Sequence, residues 1–236
     1  MALNGGMTDD QVSTLWAFAR GDLPGQDLEN WLFAQSGLEE VLGEELHWSL
    51  VSGNYSDRDE VWKLRHALAR ALNSTKQCEC PAIRNVAAIP MGGDFYFEKV
   101  FEPLSQLIEY GSEKWWLYIS KCRRCTTIWL IAQDDRIYDE FFLVRVDEAT
   151  LDDAREGRWP QQFMTYEDVL ATGRKLSNPP RFLDPMAGSL QWTVEDLLKE
   201  RSSISAEEIA NLLGVSIRHA STLMRKVQPL RIKWCF

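Results

Sequence analysis

Long hydrophobic runs are missing from this chain of 236 residues. No apolar stretch approaches the roughly 20 residues that a membrane-spanning helix needs. The first residues, "MALNGGMTDD", have no basic segment followed by an apolar core, so no secretory signal is read there. Together these absences predict a soluble, cytoplasmic protein. Catalytic signatures are missing too. No HExxH, GxSxG, phosphate-loop or dinucleotide fingerprint occurs. The glycines of "GGMTDD" and "MGGDF" lack the lysine and helix that a phosphate loop requires. Histidine is scarce and scattered: His47, His66 and His219. The pairs Asp134/Asp135 and Asp152/Asp153 sit in hydrophilic segments and read as solvated faces. The expectation is a non-enzymatic protein.

Positive charge is also in short supply. The formal net charge is −9. Residues 1–77 carry 6 Lys and Arg against 12 Asp and Glu; residues 78–186 carry 13 against 18; residues 187–236 carry 7 against 5. An acidic body repels nucleic acid and favours basic partners, although acidic surfaces also serve solubility alone. Ten tryptophans and 45% apolar residues exclude a disordered chain. The runs with Trp115, Trp116 and Trp129 read as core.

Hydrophobic periodicity divides the chain. Residues 8–73 read as four short helices. Thr8 is a cap for the first, whose face carries Val12, Leu15 and Phe18. Leu28, Trp31 and Leu32 face inward on the second, and Val41, Leu42, Leu46 and Leu50 on the third. The fourth has Ser56 as cap and Val61, Leu64, Leu68 and Leu72 on one face. After residue 77, "FYFEKVF", "KWWLYIS", "TTIWLIAQ" and "YDEFFLVRV" read as strands, being rich in aromatic and β-branched residues. "DEATLDDAREG" and "TYEDVLATGRKL" read as helices. The proline-rich 177–189 reads as a linker. The predicted class is α+β, mainly helical. It comprises a helical domain (1–77), a zinc-ribbon-like α+β domain (78–176), and a winged helix-turn-helix domain (190–236).

Four of the five cysteines form two close pairs, Cys78/Cys80 in "CEC" and Cys122/Cys125 in "CRRC". Thiolates are preferred donors for a structural zinc ion, which takes four ligands. Two tight turns brought together by a sheet would supply them. Lys121, Arg123 and Arg124 would offset part of the thiolate charge. Four thiolates leave no open position for water, so such a zinc holds the fold and does no chemistry. A redox disulfide in "CRRC" and plain buried thiols are the alternatives; no thioredoxin-like βαβ pattern surrounds the motif. Cys235 is left over.

"ISAEEIANLLGVSIRHASTLMRKV" matches a helix-turn-helix pattern. Ser205 and Glu208 form a capping box, Ala210 is small at the crossing, and Gly214 supplies the positive φ of the turn. Ser216 caps the second helix, and Val215, Ala220 and Leu223 fit buried positions. A DNA-reading helix would present Ser216, Arg218, His219, Thr222 and Arg225. The motif also serves protein interaction, and the segment's slight positive charge is weak for phosphate neutralisation. "VQPLRIKWCF" reads as a short strand.

Residues 18–68 resemble a pattern common in bacterial immunity proteins of polymorphic toxin systems, "F..G......FE.W.Y....LE..L....Y..L...NY". The matching residues are Phe18, Gly21, Leu28, Glu29, Trp31, Leu32, Leu38, Glu39, Leu42, Leu50, Asn54 and Tyr55. Leu28 stands where Phe is frequent and Phe33 where Tyr is common. "CRRCTTIWLIAQDDRIYDEFFLVRV" resembles a cysteine-containing segment found beside that pattern; the helix-turn-helix lies outside it. The resemblance implies a partner: a cognate protein toxin, bound and blocked. Many such toxins have basic clefts, which an acidic inhibitor finds quickly by electrostatic steering. The segments Asp27–Glu45 and Asp57–Glu60 are the expected contact, through Asp27, Glu29, Glu39, Glu40, Glu44, Glu45, Asp57 and Asp59. The regulator alternative is a zinc-stabilised DNA-binding protein.

Overall fold

A computed structural model describes residues 6–92, 95–176 and 187–231. The architecture is α+β, with two compact units, Met1–Asn85 and Val86–Phe236.

The first unit contains α1 (Asp9–Arg20), α2 (Gly25–Phe33), α3 (Leu38–Leu42), α4 (Glu44–Val51) and α5 (Arg58–Leu72). Thr8 caps α1 through a box with Gln11, as its position predicts. The third expected helix is two, because Gly43 adopts φ 84° between α3 and α4. Asp57, rather than Ser56, caps α5, accepting from the backbone N–H groups of Asp59 and Glu60. The predicted faces pack together: Leu15, Phe18, Leu28, Leu32, Leu42, Leu50, Leu64, Leu68 and Leu72 are buried in one cluster. Val12, Trp31, Val41, Leu46 and Val61 are only partly buried.

The second unit is built on an antiparallel sheet of order β1-β5-β4-β3-β2. Its strands are β1 (Val86–Pro90), β2 (Leu104–Glu109), β3 (Leu117–Cys122), β4 (Ile128–Asp134) and β5 (Glu140–Val146). "FYFEKVF" is a correction: Tyr96–Phe101 is a helix, α6. Phe97 and Phe101, four residues apart, stack on Phe141 of β5 at 5.5 and 4.6 Å. Helices α7 (Glu148–Arg155), α8 (Tyr166–Lys175), α9 (Ser189–Glu200), α10 (Ala206–Leu213) and α11 (Ile217–Arg231) follow. Their buried residues join Leu117, Ile119, Ile128, Leu130, Ala132 and Phe142 in a single core. The alternation of these strand residues places them on one sheet face. Residues of α9, α10 and α11 belong to this shared core.

Of the expected linker 177–189, Ser189 opens α9 and residues 177–186 lie outside the described residues. The expected strand from Val227 is helical through Arg231; Cys235 lies outside the described residues. Among the described residues no helix is long and apolar enough to cross a membrane.

Candidate metal centre

After α5 and a 3-10 turn at Asn73–Thr75, the "CEC" segment begins as irregular chain and then forms a second 3-10 turn, Cys80–Ala82. Proline at the start of this turn fixes its φ without removing a needed hydrogen bond. Arg20 at the end of α1 donates to the Pro81 carbonyl at 3.0 Å. Lys76 and Glu79 pair at 2.7 Å across the segment. The two thiols are thus held by side chains and a turn.

The "CRRC" pair does lie on a hairpin. Cys122 ends β3, opposite Leu104 of β2. Its N–H donates to the Thr127 carbonyl at 2.9 Å, and its carbonyl accepts from Thr126 N–H at 3.0 Å. Thr126 adopts φ 60°, which lets so short a connection reverse direction. The Arg124 N–H donates to Cys122 Sγ at 3.4 Å, and Cys125 Sγ donates to Thr127 Oγ1 at 3.2 Å. Such N–H contacts stabilise negative charge on sulfur.

One sulfur from each of Cys78, Cys80, Cys122 and Cys125 lies within 4.8 Å of all the others. The first three residues are buried and Cys125 is partly exposed. A tetrahedral site with metal–sulfur bonds of about 2.3 Å spaces its sulfurs about 3.8 Å apart. The four sulfurs could therefore close on one ion with small side-chain adjustments. The cations flanking Cys122 do not all serve the sulfurs. Lys121 pairs with Glu148 at 2.5 Å, Arg124 with Glu102 at 2.8 Å, and Arg123 donates to the Glu102 carbonyl at 2.6 Å.

The acidic residues singled out in the sequence occupy helix starts in the first unit. Asp27 is in the first turn of α2, with Glu29 close behind; Glu39 and Glu40 open α3; Glu44 and Glu45 open α4; Asp57 and Asp59 open α5. All are exposed except the half-buried Glu29. No ion pair among the described residues uses any of them. Glu44 and Glu45 line a groove of about 630 Å³ with Glu60, over an apolar floor of Leu42, Leu46 and Leu64. Lys63 and Arg70 stand along its α5 side. Trp48, one turn beyond Glu44, is 67% exposed. Periodicity alone could not separate it from core tryptophans.

Ser216, just before α11, and Arg218 and Arg225 on it are exposed, and His219 and Thr222 are half-buried. Ser216 Oγ accepts from His219 N–H at 3.2 Å, which caps the helix. Ser205 and Glu208 form the predicted capping box on α10. The box and the neighbouring Arg201 hold the Glu208 carboxyl down to about 2. Gly214 has φ 68°. Ala210, Ala220 and Leu223 are buried, and Val215 is partly buried.

Asp134 is a second correction. It is fully buried, not solvated. Its carboxylate accepts from the N–H groups of Arg136, Ile137 and Tyr138 at 3.1–3.2 Å and from the Tyr166 hydroxyl. Burial pushes its pKa up, and these four hydrogen bonds pull against that shift. Asp135, Asp152 and Asp153 are exposed as expected; Trp116 and Trp129 are core as expected, whereas Trp115, also expected in the core, is 37% exposed.

No family model, no curated protein and no solved structure matches the chain.

Proposed function

We propose that this protein is an immunity protein that binds a basic protein toxin and occludes its active site, with a zinc ion held by Cys78, Cys80, Cys122 and Cys125. The observation that carries the reading is the set of exposed carboxylates on the helical unit. Its carboxylates at the starts of α2 to α5, all exposed but the half-buried Glu29, make no ion pairs among the described residues. Apart from Asp57, which caps α5, and Glu29, which accepts from Gln26, they are left to solvent, and a basic partner would use them. Uncompensated like charge destabilises a compact state, so its concentration here favours a role in association. The groove beside Glu44 and Glu45, with exposed Trp48 near it, combines the apolar anchor and charged rim of a protein interface. Zinc suits four thiolates, and closed coordination makes it a staple without chemistry. The resemblance of residues 18–68 to immunity proteins agrees with this reading, and such an inhibitor works in the cytoplasm.

The test is affinity capture of the tagged protein from its native host, with nuclease added. One dominant basic protein, lost when Glu44 and Glu45 are both changed to lysine, is the expected result. Capture of no protein, or capture insensitive to the charge reversal, overturns the reading.

A second reading rests on α10 and α11. The capping box, the left-handed Gly214 and the exposed Ser216, Arg218 and Arg225 suit a helix-turn-helix that reads DNA. Salt-sensitive, sequence-preferring DNA binding that Arg218→Ala and Arg225→Ala weaken would establish it. Binding unchanged by both substitutions would remove it.

A further inference from the structure

The helical unit also holds a concentration of positive charge that neither reading uses. A cavity of about 470 Å³ lies against α5 and is lined by Arg20, Arg58, Arg65, Arg84, Trp62 and His66, among others, with no carboxylate in its wall. Four arginines in one wall are conspicuous in a chain of net charge −9. The nearest compensating acid, Asp22, is already engaged: it pairs with Arg20 and accepts from Asn85 N–H at 3.0 Å.

Two of these guanidinium groups converge. A Cβ added at Gly21 would lie 3.2 Å from Arg84 Nη2 and 3.4 Å from Arg65 Nη1. Among the described residues neither arginine is ion-paired. Mutual repulsion at this range calls for an anion between them. Both are held in place by other contacts. Arg84 Nε donates to the Arg20 carbonyl at 2.9 Å, and Arg65 lies over the Phe18 ring at 5.1 Å. Arg65 Nε is buried and has no hydrogen-bond partner among the described residues. An orphaned buried donor costs about 1–3 kcal/mol, so a missing acceptor is indicated. Burial, and then Arg84, pull the Arg65 pKa down. Arg58 is the first residue of α5, where the helix dipole disfavours a cation. Nothing local explains it.

The same helix face carries a ring platform. Arg58, Trp62 and Arg65 follow helical spacing, and Trp62 is 60% exposed. Its ring lies 4.0 Å from that of His66, tilted by 34°. His66 Nδ1 donates to the Trp62 carbonyl at 2.8 Å, which fixes the imidazole. An exposed indole backed by a second ring is a surface for a planar group. Arginines that bind phosphate oxygens in forked geometry stand beside it.

We propose that this pocket binds a nucleotide, its phosphates between Arg58, Arg65 and Arg84 and its base on Trp62. This site is independent of toxin binding and lies on other residues than the acidic groove.

Isothermal titration of the full chain with ADP, inorganic pyrophosphate and adenosine tests the assignment. ADP is expected to bind saturably and more tightly than either fragment. Arg58→Gln with Arg84→Gln should weaken ADP at least tenfold. Trp62→Ala should weaken ADP at least fivefold and leave pyrophosphate unchanged. Arg58→Gln alone, exposed and without a hydrogen bond among the described residues, gives the same reading if the double variant does not fold. Absence of ADP binding overturns the site. Binding unchanged by Arg58→Gln overturns the phosphate assignment, and pyrophosphate binding as tight as ADP overturns the base platform.

Discussion

The hydroxyl of Tyr166, on α8, donates to the buried carboxylate of Asp134, at the end of β4. The same carboxylate accepts three N–H groups from the turn into β5, so one side chain fixes the turn and ties it to a helix. Next in the turn, Arg136 reaches Asp196 of α9 at 2.6 Å, and the Tyr138 hydroxyl donates to the Leu212 carbonyl of α10. Asp134→Ala would leave several buried donors without an acceptor, at about 1–3 kcal/mol each. We expect a loss of more than about 3 kcal/mol in denaturant unfolding, and about 1–2 kcal/mol for Tyr166→Phe, which removes one donor.

Glu140 gives stability a pH dependence. It opens β5 half-buried, with Oε2 buried and without a hydrogen-bond partner among the described residues. Burial, then Asp134 and Asp139, push its pKa from 4.5 up to about 7. A raised folded value means that the folded state keeps a proton the unfolded chain releases. The contribution is full below pH 4.5 and is lost as pH rises through about 7. Glu140→Gln removes this dependence. Relative to the wild type, the variant should gain on the order of 1 kcal/mol between pH 5 and pH 8, a figure reduced for partial exposure. An unchanged difference across that range contradicts the assignment.

Gly173 is where α8 meets the sheet. A Cβ there would lie 2.9 Å from Cζ of Phe142, whose ring is fully buried. Helix propensity favours Ala over Gly by about 1 kcal/mol. Overpacking against an immovable ring costs about 1–3 kcal/mol and wins. Gly173→Ala should lower the melting temperature; a rise would show that the ring yields.

The sulfur cluster predicts one zinc per chain in the purified protein, measured by elemental mass spectrometry. Cobalt exchange should give the thiolate charge-transfer absorption of a four-sulfur site. Cys122→Ser should lose the metal. Because binding to folded ligands is folding free energy, chelation should lower stability by more than about 3 kcal/mol. Protein purified without metal and indifferent to chelator would contradict the staple.

Much of this was legible in the sequence. "CEC" and "CRRC" announced the cluster because close pairs of soft donors have few other uses. The faces of α1, α2 and α5, and the box at Ser205, followed from periodicity and capping. What escaped has physical causes. β1 and β2 are the sheet's two edges, and "VAAIP" and "LSQLIE" lack the apolar density of a central strand. "FYFEKVF" has aromatic strand propensity, yet Phe97 and Phe101 are spaced to pack as a helix face against Phe141. Asp134 looked solvated beside Asp135, since a hydrophilic run does not show which carboxylate will face a turn's buried N–H groups. The arginine pocket escaped because Arg20 and Arg84, 64 residues apart, meet the arginines of α5 only in the folded chain.

The central claim is toxin neutralisation, and the direct measurement is complex formation with the toxin encoded beside this gene. Size-exclusion chromatography and titration calorimetry should show a stable complex of defined stoichiometry. Its affinity should fall with salt, and at least tenfold on changing Glu44 and Glu45 to lysine. No complex with that toxin, or one indifferent to both salt and charge reversal, would contradict the account.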